Sequence, residues 1–486
     1  MLKPIKIINI TVFFIWAVLI SLLLYKNYAG TELKTSEALK KSFDKETYWY
    51  DVYAGTKKIG FALTTIEKAG NEIIIKQTRE IKVIKNKQEI LLIESLKSLC
   101  SLNYSIKSFE YSSNLKDEKG IKATGEVDGD NIIFFLESAE KRKTHKISTG
   151  GKDFYLPTTL MPVIHEKQPA PNTPFIVPML NLASLSIDEV RVVLEDIRPL
   201  KLRADIFSLY KYRVGNSVVW INEKGIIIKE ELPSEMTLYS QTENIAKDPS
   251  DRILFDYTSL PFFKSNKELP APENLKIMKI KIKGFALDPL FYKNSLVTME
   301  NDIIIIEKQN IEQLKAKTYA LPYKNDSLNK YLASDEWVMS DYETVKANAH
   351  NMAVIEKNDA YRMALYLNSN LYFDVNPMPM FALSNSMDIF KSHLGDYLER
   401  TVMFASFGRA VGLPTRLVSG LVYVNGYFYF HAWPEVWFDK WVPVDPSLAQ
   451  FPADVTHIPL KEGSLTDIIS IKDNLKNIKI EILMSL

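Results

Sequence analysis

The segment from residue 397 to residue 411 is apolar on every face of a helix, and it constrains the fold more than any other stretch. Its large apolar residues include Leu398, Val402, Phe404 and Phe407. A surface helix carries apolar residues on one stripe only, so a helix of this kind must be surrounded by other elements. Gly412-Leu413-Pro414 follows, and glycine with a nearby proline is typical of a helix end. The sequence therefore predicts a buried central helix.

A hairpin and two short motifs follow this helix. Asn425-Gly426 separates two β-rich runs, and this dipeptide is a strong signal for a type I′ turn. The second run carries His431-Ala432-Trp433, and Asp445 stands beside a proline shortly after it. We expect His431 and Asp445 to be in contact. A histidine among aromatic residues is often a packed core residue, so this contact alone fits either catalysis or a pair that ties two strands together.

The order of these motifs resembles the transglutaminase-like superfamily. The family pattern is Gly-x-Cys-x-Glu-His at a helix start, then Gly-Ile-Pro-x-Arg, then His-Ala-Trp, then Trp-x-x-x-Asp-Pro. The matching residues occur here in the same order and at similar spacings: Gly395, Glu399, Gly412, Pro414, Arg416, His431, Ala432, Trp433, Trp441, Asp445 and Pro446. The resemblance implies an α+β domain of the papain-like fold, in which helices precede a small antiparallel sheet.

Tyr397 stands where the family has its nucleophilic cysteine. The resemblance implies that His431 is the general base and that Asp445 orients its imidazole. A phenol has a pKa of about 10 and carries its oxygen farther from the backbone than a thiol does, so it does not replace a thiolate at a helix start. Arg400 likewise replaces a frequent histidine of the family. We expect a degenerate site of Tyr397, His431 and Asp445, in which the phenol ring points inwards beside Tyr429 and Trp433 and either hydrogen-bonds His431 or fills the acyl pocket.

The sequence does not supply another nucleophile. Its single cysteine, Cys100, lies far upstream in a strand-like run, where we expect a buried structural thiol. Ser392 and Ser406 lie nearer but lack a nucleophile-elbow motif. One cysteine permits neither an intrachain disulfide nor a thiolate metal cluster. We predict no metal site and no cofactor, because the remaining histidines lack ligand spacing. They are His145, His165, His350, His393 and His457.

An uncharged run from Ile7 to Tyr25 lies between Lys6 and Lys26. As a helix with a rise of about 1.5 Å per residue, it is long enough to span the roughly 30 Å hydrocarbon core of a bilayer. A clear cleavage site does not follow, so we expect residues 1–30 to be an uncleaved single-pass membrane anchor rather than a signal peptide. The short N-terminal tail stays most easily in the cytoplasm. We therefore expect a bacterial inner-membrane protein with most of the chain in the periplasm.

Turn residues divide the rest of the chain. Short apolar runs separated by turn signals predict an antiparallel β-rich region over residues 44–260. A cluster of prolines between Pro157 and Pro178 predicts an irregular excursion inside it. Alternation of apolar residues with lysines predicts a β-rich connecting segment over residues 273–335. Helical periodicity begins near Glu343, and we assign residues 340–470 to the transglutaminase-like domain.

Three functions are compatible with the sequence. The net charge of +1 gives no reason to expect nucleic acid as a partner. The favoured function is a membrane-anchored extracytoplasmic protein that is catalytically inactive and binds a polypeptide or cell-envelope ligand. The second is an active thiol-type protease, amidase or acyl transferase, which needs a nucleophile that the sequence does not show. The third is a structural β-domain protein with the C-terminal domain as its packing partner.

Overall fold

The structure is a computed structural model of the 486-residue chain. It describes residues 31–32, 45–85, 88–116, 120–138, 141–167, 169–181, 184, 186–289, 291–292 and 295–486. These residues form two compact units. The N-terminal unit comprises the described residues of Met1–Pro199 and Phe207–Arg252, and the C-terminal unit those of Leu200–Ile206 and Ile253–Leu486. The finer domain boundaries drawn from the sequence stay predictions.

The predicted membrane anchor from Ile7 to Tyr25 lies outside the described residues. Among the helices that are described, none is both long and apolar enough to cross a bilayer. The anchor therefore stays a prediction.

The N-terminal unit is built on a large sheet. Its strands are β1 (Thr31–Glu32), β2 (Lys45–Ala54), β3 (Lys57–Ala69), β4 (Glu72–Lys85), β5 (Gln88–Ser101), β6 (Ile106–Leu115), β7 (Ile121–Asp128), β8 (Asn131–Ser138), β9 (Lys141–Ser148), β10 (Phe175–Asn181), β11 (Ser186–Leu202), β12 (Asp205–Val214), β13 (Ser217–Ile221), β14 (Ile227–Glu231) and β15 (Met236–Gln241). Their order is β1-β10-β11-β12-β13-β14-β15-β2-β3-β4-β5-β6-β7-β8-β9. The meander from β2 to β9 is antiparallel throughout. The predicted antiparallel β-rich region is confirmed.

Alternating residues of these strands form an apolar core. Ile73 and Ile75 on β4 and Cys100 on β5 are buried in it. Side chains two residues apart point to the same face of a strand, which is why Ile73 and Ile75 share the core face. Burial raises the pKa of the Cys100 thiol to about 12, so the thiolate is scarce at neutral pH. The thiol occupies a structural position, as expected from the sequence.

The irregular excursion predicted between Pro157 and Pro178 is partly wrong, because helix α1 (Pro157–Lys167) begins at the first of these prolines. Proline is tolerated in the first turn of a helix, where its missing N–H has no intrahelical acceptor. The helix buries Leu160, Met161 and Ile164 in the core of the N-terminal unit. This gain in apolar burial explains why a proline-rich segment is helical. A short helix, α2 (Glu243–Lys247), follows the last strand of the sheet.

The C-terminal unit contains helices and three smaller sheets. Its helices are α3 (Ile311–Ala316), α4 (Glu343–Ile355), α5 (Ala360–Asp374), α6 (Ser386–Ser392), α7 (Tyr397–Ala410) and α8 (Leu465–Ser470). Its strands are β16 (Phe262–Lys264), β17 (Ile277–Lys283), β18 (Val297–Glu300), β19 (Ile303–Glu307), β20 (Asn376–Pro377), β21 (Leu394–Gly395), β22 (Thr415–Val424), β23 (Tyr427–Trp437), β24 (Trp441–Pro443), β25 (Ile458–Gly463) and β26 (Lys479–Ser485). Short 3₁₀ helices lie at Tyr257–Ser259, Pro272–Asn274, Asp326–Tyr331 and Ile471–Asn477.

Helix α7 is the central element of this unit. Every residue from Tyr397 to Gly408 is buried, and the helix contacts α4, α5, α6, β22 and β23. The predicted buried central helix is confirmed. Gly412 follows with φ of 80°, a left-handed conformation that glycine adopts without a Cβ clash, so the helix ends where the sequence predicts.

The two larger sheets of the C-terminal unit differ in their strand order. One has the order β16-β23-β22-β25, with β24 paired to β23. Asn425 and Gly426 join β22 to β23 with φ values of 47° and 86°, and positive φ at both positions confirms the predicted hairpin turn. The other sheet has the order β18-β19-β17-β26. The predicted connecting segment supplies β17, β18 and β19, and β26, which follows much later in the chain, pairs with β17.

Candidate functional site

Local geometry places Tyr397 at the first residue of helix α7. Gly395 precedes it with φ of 153°, and a Cβ there would lie 2.4 Å from Cβ of Glu399. Only glycine fits such a close approach. The backbone N–H of Asp396 donates to Oε2 of Glu399 at 2.9 Å, which satisfies a donor at the helix start. The Gly-x-x-x-Glu pattern therefore positions whichever residue stands at 397.

Arg400 ties the start of this helix to the end of helix α5. Its guanidinium is fully buried and donates to the carbonyl oxygens of Leu371, Gly395 and Val375. Its Nη1 also lies 3.7 Å from Oδ1 of the buried Asp396. Carbonyls at a helix end lack intrahelical donors, and a guanidinium with several N–H groups satisfies them. The residue that replaces the family's frequent histidine thus has a structural explanation.

The structure brings His431 and Asp445 into contact. Nε2 of His431, on β23, donates to Oδ2 of Asp445 at 2.7 Å, and both side chains are buried. We assign the proton to Nε2 because a carboxylate only accepts. Nδ1 is then an acceptor, and it is buried without a hydrogen-bond partner in the described part of the chain. An orienting carboxylate on one nitrogen and a free second nitrogen is the arrangement of a general base.

Ser447 is a further member of the cluster. Its Oγ donates to Oδ1 of Asp445 at 2.6 Å and lies 3.2 Å from Nε2 of His431. It is not placed as a nucleophile, because Nε2 already carries the proton that it gives to Asp445 and therefore does not accept another. The hydroxyl and the backbone N–H of Ser447 form a turn that caps the carboxylate.

His457 also belongs to this cluster, although the histidines lack ligand spacing in the sequence. Its Nε2 donates to the same Oδ2 of Asp445 at 2.9 Å, and its Nδ1 lies 3.4 Å from Oδ1 of Asp454. Spacing in the sequence does not reveal this contact, because a turn between Asp445 and β25 creates it. His431, Asp445 and His457 each offer one ligand atom within 4.8 Å of the others. The predicted absence of a metal stays a prediction.

The pKa values of His431 and His457 shift in opposite directions. Burial and the charge of Lys201 lower the pKa of His431 to about 3, although Asp445 opposes them. Burial also favours neutral His457, but hydrogen bonds and charges from Asp445 and Asp454 outweigh it and raise the pKa to about 9. Burial alone would raise the pKa of Asp445, but the two histidines hold it well below its usual range. At neutral pH the cluster is a neutral His431, an ionised Asp445 and a charged His457.

Tyr397 points inwards and covers His431. Its side chain is 2 % exposed, and the two ring centroids are 4.7 Å apart. Its other aromatic contacts are Tyr257 and Phe430, at 6.1 and 6.2 Å, rather than the predicted neighbours Tyr429 and Trp433. The phenol hydroxyl has no hydrogen-bond partner among the described residues. The ring therefore fills the space beside the imidazole as a packing group.

Lys201 also lies at the site, although no motif in the sequence indicates it. It is 5 % exposed, and its Nζ lies 5.3 Å from the centroid of the Tyr397 ring, within range of a cation–π interaction. Burial lowers its pKa, while the charges of Asp396 and Asp445 oppose this. A lysine this far upstream carries no motif, so its position follows only from the fold.

The two serines near the helix are not placed as nucleophiles. Oγ of Ser406 lies 2.5 Å from Oγ of Ser386 and donates to the carbonyl of Val402. Oγ of Ser392 donates to the carbonyl of Ile389. Both hydroxyls bind within or between helices. The arrangement thus retains a base and its orienting acid beside a tyrosine, while the catalytic roles of Tyr397, His431 and Asp445 stay predictions.

Because the pKa of His457 is raised in the folded protein, we expect the stability of the fold to depend on pH. A group whose pKa is higher in the folded protein stabilises it fully below about pH 6.5 and loses that contribution as the pH rises through 9. We expect the free energy of unfolding to fall by about 3 kcal/mol over this range because of His457. Urea unfolding at several pH values should show that His457→Gln removes this loss.

His431→Gln is the matched control for this pH dependence. The pKa of His431 is lowered in the folded protein, so its effect on stability lies on the acid side, below about pH 6.5. The control should therefore keep the alkaline loss. Equal alkaline slopes for the wild type and His457→Gln would contradict the assignment of a charged His457.

Part of the chain resembles a known protein family. Residues 343–446 match the family model of the transglutaminase-like superfamily. A search among curated proteins finds no match. The chain is similar to a proposed cysteine protease from Cytophaga hutchinsonii, with 12 % identity, a TM-score of 0.28 and coverage of 46 % of this chain and 90 % of the other.

A second similar structure is a β-barrel-like protein of a domain of unknown function from Brucella abortus. It has 10 % identity, a TM-score of 0.32 and coverage of 40 % of this chain and 93 % of the other. The TM-scores are low, so neither structure establishes a shared fold. The family match rests on residues that include the central helix, the hairpin and the Asp445 turn. Residues 343–446 are therefore a transglutaminase-like domain within this chain.

Proposed function

We propose that the transglutaminase-like domain is catalytically inactive and acts as a binding module of papain-like fold. The observation that carries this proposal is the placement of Tyr397, whose buried ring covers His431 at the helix start. An enzyme of this type needs a thiolate at that place, within reach of the imidazole. The ring leaves no room there for an acyl group to approach His431.

A thiol from elsewhere in the chain does not fill the role. The single cysteine, Cys100, is buried in the core of the N-terminal unit. Its raised pKa of about 12 keeps it protonated at neutral pH, and a protonated thiol is a poor nucleophile. Thiol chemistry therefore lacks a reactive group in this protein.

The phenol of Tyr397 is also unsuited to act as a nucleophile. Burial and the charges of Asp396 and Glu399 raise its pKa well above 10. The pKa of His431 is about 3, so the imidazole is a weak base for such an acid. Proton transfer from the phenol to His431 is strongly unfavourable, and the phenolate is not formed at neutral pH.

We further propose that the domain binds a polypeptide or cell-envelope strand without cleaving it. Transglutaminase-like enzymes act on amide-bearing chains, and a member without a nucleophile can retain recognition of them. The uncharged run from Ile7 to Tyr25 supports a single-pass anchor in the inner membrane, with the bulk of the protein in the periplasm.

A Tyr397→Cys substitution tests the proposed inactivity. In a Cys100→Ala background, we expect no hydrolysis or crosslinking of peptide amides and no labelling by iodoacetamide. Adding Tyr397→Cys should make the protein react, because the helix start favours a thiolate, and removal of the ring opens His431 to water and gives its imidazolium an anionic neighbour. The matched control adds His431→Ala, which should slow labelling by at least about a hundredfold, as expected when a catalytic base is lost. Mass spectrometry gives the labelling rates.

The inactive assignment fails if the wild type turns over peptide amides and either iodoacetamide or Cys100→Ala abolishes that turnover. It also fails if Cys100→Ala turns over amides and Tyr397→Phe does not, since the phenol would then be the nucleophile.

Membrane attachment and orientation have a separate test. The full chain should stay in the membrane fraction after carbonate washing, because a spanning helix is not removed by salt or alkali. A reporter fused after Leu486 should be active only outside the cytoplasm. Release of the chain into the soluble fraction would contradict the anchor, and cytoplasmic reporter activity would contradict the orientation.

A further inference from the structure

A cavity of about 680 Å³ lies within the N-terminal unit. This volume is within the range of about 300–1,000 Å³ typical of small-molecule sites. It is lined by strands β4 to β8, β10, β11 and β14 and by the start of helix α1. We propose that this cavity binds a single-chain amphiphile with an ammonium head, which the carboxylate of Glu230 receives. The proposal does not depend on the function of the C-terminal unit.

The register of the sheet creates an apolar floor for the cavity. Gln77, Leu96, Tyr111, Ala123 and Leu136 are successive cross-strand partners from β4 to β8, and all line the cavity. Cross-strand partners share one face of a sheet, so these side chains form a continuous row. Only the first is an amide, and the row beyond it offers apolar surface to a hydrocarbon chain.

The polar side chains of Arg79, Glu94 and Tyr111 in the cavity lining contact one another. Nη1 of Arg79 lies 4.0 Å from Oε2 of its cross-strand partner Glu94. The hydroxyl of Tyr111 donates to the other oxygen, Oε1, at 2.8 Å. Nη2 of Arg79 also donates to Gln77 at 3.5 Å. Glu94 therefore offsets part of the charge of the guanidinium, which makes it less available to a fatty acid.

Glu230 differs from these groups in the contacts of its carboxylate. Its side chain is 7 % exposed and lines the cavity, and no hydrogen bond or ion pair of its carboxylate occurs within the described ranges. Burial raises its pKa, although the charge of Arg79 opposes this. A buried carboxylate without a partner is costly, and a bound cation offsets that cost.

Two donors of the cavity lining also lack a hydrogen-bond partner among the described residues. Oγ1 of Thr158, which lines the cavity, is buried without a hydrogen-bond partner in the described part, as is Nε of Arg79. Thr158 and Glu230 also line a smaller adjoining cavity of about 30 Å³. An ammonium that carries a neighbouring oxygen acceptor would satisfy the carboxylate and these donors together. An amino-alcohol head on a hydrocarbon chain has this chemistry.

The charges favour an ammonium over a carboxylate head. A carboxylate would meet Glu230 and Glu94, whereas Arg79, the cation of the described lining, already lies beside Glu94. Like charges in a buried site repel strongly because the local dielectric is low. A neutral alcohol would bury the same chain without compensating Glu230. The order of affinity should therefore be amine, then alcohol, then carboxylate.

Calorimetric titration of the purified full chain with decylamine, decanol and decanoate tests this order. Decylamine should bind about tenfold more tightly than decanol, the gain expected from one charge-assisted hydrogen bond. Glu230→Gln should bring decylamine to the affinity of decanol. The matched control is Glu231→Gln, because this neighbour is 45 % exposed and is paired with Lys229 at 2.7 Å. Its decylamine affinity should equal that of the wild type.

Leu136→Trp provides a second variant, since the larger ring fills the apolar part of the cavity. It should weaken decylamine and decanol by a similar factor. If circular dichroism shows that Glu230→Gln does not fold, the ratio of the decylamine and decanol affinities of the wild type tests the proposal. The proposal is overturned if no probe binds, if decanoate binds more tightly than decylamine, or if decylamine and decanol bind equally to the wild type.

Discussion

The carboxylate of Asp445 is the constraint on which the candidate site depends. It is buried and accepts hydrogen bonds from His431, His457 and Ser447 and from the backbone N–H of Leu448. A buried charge is tolerated only when such partners surround it. His431 lies on β23, Ser447 and Leu448 lie in the turn after β24, and His457 directly precedes β25. The carboxylate therefore holds β23, the turn after β24 and the start of β25 in one arrangement, and it sets the direction of the His431 ring.

That arrangement explains how catalytic geometry can persist without catalysis. Removing one partner from a buried ionic group costs about 3–5 kcal/mol, which is a large part of the stability of a domain. His431 and Asp445 are therefore needed for the fold even where they do not activate a nucleophile. Tyr397 contributes in the same way, because its ring packs on His431, Tyr257 and Phe430. The phenol oxygen and Nδ1 of His431 have no hydrogen-bond partner among the described residues, and they lie where a thiol would have met its base.

The sequence predicted the parts of this site that follow from local chemistry. The all-apolar helix after Tyr397, its stop at Gly412 and the turn at Asn425-Gly426 each depend on a few neighbouring residues. His457 and Lys201 could not be predicted in this way. His457 reaches Asp445 through a turn whose geometry the sequence does not state, and Lys201 comes from a distant segment without a motif. Helix α1 was missed for another reason, because the gain from burying Leu160 and Ile164 outweighs the weak helix propensity of its prolines.

Tyr397 acts as a packing group, because its hydroxyl has no hydrogen-bond partner among the described residues. The free energies of unfolding of Tyr397→Ala and Tyr397→Phe test this role. Removing a buried aromatic ring leaves a cavity, so Tyr397→Ala should lose about 3–5 kcal/mol in urea unfolding of the full chain. Tyr397→Phe removes only a hydroxyl without a partner and should change the value by less than about 1 kcal/mol, or raise it. A large loss for Tyr397→Phe, or a negligible loss for Tyr397→Ala, would contradict the account.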